Sequence, residues 1–488
     1  MGRRRNLLFL LADQQRYDTL SCYGNDVVQA PNLNRLAGES IVFGRAYVTQ
    51  PVCTPARSSI MTGFYPHTTG CTGNDAPLRP DMQTIAEMVT EGYARAYIGK
   101  WHLGDEVIPQ HGFDTWISTM DRYHHYSTRP EYGTIRSDYH RYLVAHGYEP
   151  DSEHHGARIF GRRTAAAMPE EHTKARFVGR EAAHFLREIG DRPFIAYANF
   201  FEPHPPFISP FDELYRPEDI PVGPTFRRRP PDNAALCNRE QAEAYLRASH
   251  LQEMDITTER GWRQVKARYY GLITLVDRAV GEILQALDET GLWENTIVVF
   301  TSDHGDMMGD HALFQKGPLY DGSTRVPLLL RLPGAGGNSR RVVEPVSQID
   351  LLPTMLELLE LSVPAGLHGR SWMPALEGTG HLGDRDVIVE SQVGGSHKVS
   401  SWLRFEEPLP NTDRERAVGL WRSIISPDRF KLNLHPSDQC ELYDLGSDPY
   451  EVVNLFAEPE HQPRIRDMAA RLRSWQARTG DTAQMPAL

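Results

Sequence analysis

Short apolar runs recur along this chain, and each stops abruptly at charged or imidazole groups. Leu7 to Ala12 stops at Asp13-Gln14, and Ala96-Tyr97-Ile98 stops at Gly99-Lys100-Trp101-His102. Phe194 to Phe201 stops at Glu202-Pro203-His204-Pro205-Pro206, and Ile297 to Phe300 at Ser302-Asp303-His304-Gly305. Runs this short and continuous read as strands buried on both faces, as in a mostly parallel sheet. Helical spacing lies between them: Leu272, Leu275, Val276, Ala279, Ile283, Leu284 and Leu287 predict a helix from Ala267 to Thr290, closed by Gly291. The alternation predicts βα units and an α/β fold. In open α/β sheets ligands sit beyond the carboxyl ends of the strands, so the four polar clusters are expected to converge on one site.

Two stretches break the pattern. The segment from Tyr126 to Gly161 is rich in Tyr, His, Arg and Gly, and that from Pro205 to Asn238 is rich in Pro and Arg, so both read as loops or insertions. Gly334-Ala335-Gly336-Gly337-Asn338-Ser339 reads as a surface turn. Beyond His368-Gly369-Arg370-Ser371 and a polar stretch from Gly378 to Asp384 a smaller unit is expected, closing with a helix near Arg464 to Arg478. The predicted organisation is a catalytic domain over 1–378 and a smaller C-terminal α+β subdomain over 379–488. There is no internal repeat.

At 488 residues the chain exceeds what one hydrophobic core serves. A net charge of -12 gives no support to a nucleic-acid or membrane-surface partner, because either would call for a basic face. Arg3-Arg4-Arg5 followed by Leu7 to Leu11 imitates an export signal. The apolar stretch is shorter than the ~7–15 residues such a signal uses, and no small-residue cleavage site follows, so it reads as a buried strand. No run approaches the ~20 apolar residues of a membrane span. Cys22, Cys53, Cys71, Cys237 and Cys440 are odd in number and irregular in spacing, neither a disulfide framework nor a zinc set, which fits a reducing compartment. The expected location is cytoplasmic.

Cys53-Thr54-Pro55-Ala56-Arg57 is the sharpest motif. The frequencies of Cys, Pro and Lys plus Arg give about 0.04 chance matches to Cys-x-Pro-x-Arg in a chain of this composition. A lone cysteine beside a helix-initiating proline is ordinarily structural. Here Ser58-Ser59-Ile60-Met61-Thr62-Gly63 follows at once, and the other clusters supply anion- and metal-binding residue types.

With these residues the chain resembles the formylglycine-dependent (type I) sulfatases of the alkaline phosphatase-like superfamily. The matching segments are Cys53 to Gly63, Gly99 to Gly104, Pro203 to Phe207, Thr301 to Asp306, Lys316-Gly317, Arg325-Val326-Pro327 and Glu441 to Leu445, in the family's order. The resemblance implies an alkaline phosphatase-like mixed, mostly parallel central sheet flanked by helices. It also implies that a formylglycine-generating enzyme oxidises Cys53 to an aldehyde. One hydroxyl of the hydrate would attack sulfur, forming a sulfo-enzyme, and the other would serve the second step. Asp13, Gln14, Asp303 and His304, with the modified Cys53, look like ligands of one divalent cation; calcium suits the oxygen donors, while the imidazole widens the choice to manganese or zinc. Many family members carry Asp where Gln14 stands and Asn where His304 stands.

The same resemblance makes Lys100 and Lys316 a sulfate clamp. It makes His102 the base that releases sulfate, His204 the acid for the leaving alcohol, and Arg57 a support for the diol. Asn74 is a candidate sulfate contact, with a plain turn as the simpler account. The implied activity is hydrolysis of a small-molecule or saccharide sulfate ester. The nearest rival is a phosphonate monoester or phosphodiester hydrolase on the same fold, which Gln14 and His304 resemble, while Lys100 and His102 favour the sulfatase. A non-catalytic anion-binding homologue is the third reading.

Overall fold

A computed structural model describes residues 3–121, 128–154, 157–160, 166–334, 339–382, 384–393, 403–404 and 419–488. Nine described strands form the main sheet: β1 (Asn6–Asp13), β2 (Ile41–Tyr47), β3 (Ala94–Gly99), β4 (Thr115–Ser118), β5 (Phe194–Pro203), β6 (Thr296–Ser302), β7 (Arg325–Val326), β8 (Leu328–Arg331) and β9 (Arg340–Ser347). Their spatial order is β7-β2-β8-β6-β1-β5-β3-β4, with β9 beside β2. The block β6-β1-β5-β3-β4 is parallel, and β8 runs antiparallel between β6 and β2. The sheet is therefore mixed and mostly parallel, as expected.

Alternation along β1 divides its side chains between two cores. Leu8, Leu10 and Ala12 pack with residues of the Glu259–Thr290 and Lys174–Glu188 helices, while Leu7, Phe9 and Leu11 pack with Ile60, Leu352 and Met355 on the other face. Each buried Leu contributes about 2 kcal/mol of transfer free energy, so this strand is anchored from both sides. The Leu7 to Leu11 run is thus a central strand.

The long helix starts at Glu259 rather than Ala267. Thr258 caps it by accepting a hydrogen bond from the Gly261 N–H (3.1 Å), and Trp262 and Val265 are buried. Its polar first turns hide this from hydrophobic periodicity. The described part of the Tyr126–Gly161 stretch is also more than loop. It holds a 3-10 turn (Pro130–Thr134), a helix (Asp138–Ala145) and a hairpin pairing Asp151–His154 with Ala157–Phe160. Ser137 caps that helix through the His140 N–H, and the Asp138 carboxylate accepts the Ser118 N–H at the end of β4 (2.7 Å). Pro205 to Asn238 is mainly irregular, with a 3-10 turn at Pro217–Asp219 before a helix beginning at Leu236. Residues 335–338 of the expected turn lie outside the described residues.

Toward the C-terminus β10 (Val387–Val393), β11 (Gly419–Ile425), β12 (Phe430–Leu434) and β13 (Glu441–Asp444) form a four-stranded antiparallel sheet. The Gln462–Thr479 helix lays Ile465, Met468 and Leu472 on Ile424, Leu432 and Leu434. Tyr65 and Ile349 of the main body join that core. All five cysteines are free thiols. No helix among the described residues is long and apolar enough to cross a membrane.

Candidate functional site

The parallel block brings the predicted clusters to one edge. Asp13 ends β1, Asp303 follows β6, Lys100 follows β3 and His204 follows β5, all at carboxyl ends of neighbouring parallel strands. The ends of β1 and β6 are latched together, the Asp303 N–H donating to the Ala12 carbonyl (3.2 Å) and the Gln14 N–H to Asp303 Oδ1 (3.0 Å). Gly99 is required where β3 meets β5, since a Cβ there would lie 1.9 Å from the Asn199 carbonyl oxygen.

Cys53 opens a helix, Cys53–Thr62, every residue of which is buried. The helix N-terminus carries partial positive charge at this residue. Asn74 serves that end, its Oδ1 accepting the Thr54 N–H at 3.1 Å. Lys316 Nζ lies 3.2 Å from Cys53 Sγ and donates to Gln14 Oε1 (2.8 Å). Lys100 Nζ, fully buried, donates to Asp13 Oδ2 at 2.6 Å. Burial and Asp13 push the Cys53 thiol up, but Lys100, Lys316 and His304 outweigh them and hold it at about 7. Burial also opposes ionisation of Asp13, yet Lys100, His204, Arg57 and Lys316 keep its carboxyl well below the usual carboxylate range.

Asp13, Cys53, Asp303 and His304 bring one ligand atom each within 4.8 Å of one another, all buried. The donor set fits a divalent cation. The His304 Nδ1–H donates to the Gly305 carbonyl (2.9 Å), so in the neutral ring Nε2, which lies 3.2 Å from Cys53 Sγ, carries the lone pair a metal needs. Gln14 adjoins the cluster in a left-handed conformation (φ 71°), its Nε2 donating to Asp306 Oδ2 at 2.5 Å, which fixes which end of the amide is oxygen. Arg57 reaches further than a support for residue 53. Its guanidinium joins Asp303 (2.8 Å) and Asp13 (3.0 Å) and donates to the Lys100 carbonyl (2.8 Å), placing a permanent cation between the two carboxylates.

His102 follows on the same turn as Lys100, with φ 61° and its carbonyl accepting Thr54 Oγ1 at 2.8 Å. His204 is buried, its Nδ1–H donating to the Pro205 carbonyl (2.7 Å), with the Phe201 ring 4.7 Å away. Two residues to which the sequence assigned no role complete the arrangement. Glu106 accepts the backbone N–H groups of Trp101 and His102, and Asp306 accepts those of Met308 and Gln315 besides orienting Gln14. Glu106 stands just past the Gly99 to Gly104 segment and Asp306 closes the Thr301 to Asp306 segment, and nothing in the sequence marks either carboxylate as buried.

Residues 5–361 match the sulfatase family model. An ulvan-active sulfatase of Formosa agariphila is 29% identical over 98% of this chain and 82% of its own length. An arylsulfatase of Clostridium perfringens is 29% identical over 94% of this chain and 92% of its own. The crystal structure of a phosphonate monoester hydrolase of Agrobacterium radiobacter matches with a TM-score of 0.73 at 26% identity, covering 98% of this chain and 96% of that one. Likeness that runs nearly end to end, on a sheet edge already built from the family's residue types, leaves one assignment: the chain belongs to the sulfatase family and is a sulfuric ester hydrolase of alkaline phosphatase-like fold.

Proposed function

We propose that this enzyme hydrolyses a sulfate ester with residue 53 converted from cysteine to formylglycine by a formylglycine-generating enzyme. A divalent cation, calcium in the first instance and manganese or another ion as alternatives, would be held by Asp13, Gln14, Asp303, His304 and residue 53. The observation that carries the reading is the pair of lysines at the buried cluster around residue 53, Lys316 on Cys53 Sγ and Lys100 on Asp13. Two ammonium groups there match a tetrahedral anion and stabilise the charge that develops as its ester bond breaks. The hydrate of a formylglycine supplies two hydroxyls at one carbon, and a cation supplies Lewis acidity at the same point.

The chain's own groups divide the remaining work. Lys100 and Lys316 bind and orient the sulfate, with Asn74 Nδ2 as a further donor. Arg57 holds the Asp13 and Asp303 carboxylates in place through its contacts with both. His204, whose Nδ1 proton is committed to Pro205, delivers a proton from Nε2 to the leaving oxygen. His102 takes and holds the proton released at residue 53. The alcohol half is a sugar, an aryl group or a small alkyl group.

Phosphonate monoester or phosphodiester hydrolysis is the second reading, favoured by Gln14, by His304 and by the whole-length likeness to a phosphonate monoester hydrolase. Rates on an aryl sulfate and an aryl phosphonate, with mass analysis of the peptide containing residue 53, test both. Faster sulfate cleavage by protein carrying the aldehyde is expected. An unmodified thiol in fully active protein would sink the formylglycine reading, and a preference for the phosphonate would replace sulfate with phosphorus.

A further inference from the structure

Once β3 ends at Gly99, the turn Lys100-Trp101-His102 must satisfy its backbone polar groups without a strand partner. The Lys100 N–H donates to the Asn199 carbonyl (3.1 Å), the last bond toward β5. The Lys100 carbonyl accepts Arg57 Nη1 (2.8 Å) and the Tyr97 hydroxyl (2.9 Å), and the His102 carbonyl accepts Thr54 Oγ1. Two buried N–H groups remain. Glu106 takes both, Oε2 accepting from Trp101 at 3.1 Å and Oε1 from His102 at 2.7 Å. Consecutive N–H groups facing one point form an anion-binding concavity, which this chain fills with its own carboxylate. His102 holds φ 61° there, a conformation that a side-chain-bearing residue keeps only where its surroundings over-determine it. A group needed only for filling would be apolar beside Trp101 and Leu103, both buried.

We infer that Glu106 is a positioning residue for His102, fixing the left-handed turn that carries the imidazole without itself touching substrate. The inference rests on the proposed role of His102 in releasing sulfate, and the test separates the two. Glu106→Gln is made alone and in a His102→Ala background, with turnover expressed per titrated active site. Alone it is expected to lower kcat by about ten- to a hundredfold with KM held within about threefold; behind His102→Ala the loss is expected to shrink below about twofold, because residues acting through one another are not additive. Equal losses in both backgrounds, or an unchanged kcat, would overturn the inference. Should Glu106→Gln fail to accumulate, Glu106→Asp keeps the charge at a shorter reach and is read by the same two ratios. Full turnover by His102→Ala would remove the base role of His102 alone. The positioning claim is then read from histidine NMR: the Glu106 variant must move the His102 imidazole resonance and leave that of His204 in place, and an unmoved His102 line overturns it.

Discussion

Lys431 is the perturbation whose cost can be worked most directly from the structure. Its ammonium is fully buried on β12 and donates to Asp321 (2.5 Å), Glu451 (2.7 Å) and the Leu319 carbonyl (3.1 Å). Glu451 Oε2 in turn accepts the Asp321 N–H at 2.6 Å, so two carboxyl groups share one cation. Burial pushes Glu451 up to about 8 in spite of Lys431, whereas Lys431 and Arg325 hold Asp321 below its ordinary range against the same desolvation. Lys431→Met keeps most of the volume and removes the cation. Breaking a buried pair costs about 3–5 kcal/mol, or some two to four powers of ten in the folding equilibrium. The cost must depend on pH. A folded-state pKa raised above the unfolded value favours folding fully below the unfolded value and less as pH rises through the folded one; without Lys431 the buried Asp321 carboxyl is no longer held down and rises, and that of Glu451 rises further. The loss should therefore be smaller near pH 5 than at pH 8. Urea unfolding of wild type, Lys431→Met and Lys431→Met/Glu451→Gln at both pH values is the assay. Turnover should fall as well, because Asp321 anchors the segment that follows Lys316. A loss below about 1 kcal/mol at pH 8, or a double variant no more stable than the single, would refute the reasoning.

Asp303→Asn removes a carboxylate that neutral Gln14 and His304 cannot replace; bound divalent metal, measured by elemental analysis, and turnover should fall together, at least tenfold. His204→Ala should slow esters of basic alcohols roughly a hundredfold while sparing acidic phenols, seen as a steeper leaving-group dependence in kcat/KM. Cys53→Ser should release at most one phenol per active site from an activated aryl sulfate, because one oxygen cannot serve both attack and release; a pre-steady-state burst measures it. His67 bridges Glu390 (2.6 Å) and the Thr479 carbonyl (3.2 Å), so both ring nitrogens donate and the ring is charged; although burial opposes this, Glu390 raises it above 6.5. Its stabilisation is full below 6.5 and lost as pH rises through the folded value, so the urea midpoint of His67→Gln should lie below wild type at pH 6 and converge with it at pH 9.

Much of this site was legible before any coordinate. A two-sided buried strand needs an unbroken apolar run, so the strands of the sheet and the polar residues at their ends stand out in one dimension. Their convergence followed from a topological rule, and the register of β6, β1, β5 and β3 bears it out. The Cys53 motif and the order of the matching segments likewise carried the family by themselves. Periodicity failed where polar residues lead an element, as at Glu259 to Gln264, or where pairing rather than composition makes the strand, as in the Asp151–Phe160 hairpin.

What the tertiary structure alone decided is which charge meets which. Arg57 and Asp303 stand 246 positions apart and Lys100 and Asp13 stand 87 apart, and no local spacing foretells that these side chains meet at 2.8 and 2.6 Å. The same holds for Lys431 with Asp321, and for Glu106, whose acidity reads from sequence as solvated surface until two stranded N–H groups enclose it. The physical reason is range. Burial of an apolar face is a property that neighbouring residues share and repeat, whereas a buried charge is tolerable only beside a particular partner, and that partner is supplied by the crossing of strands and loops remote in sequence.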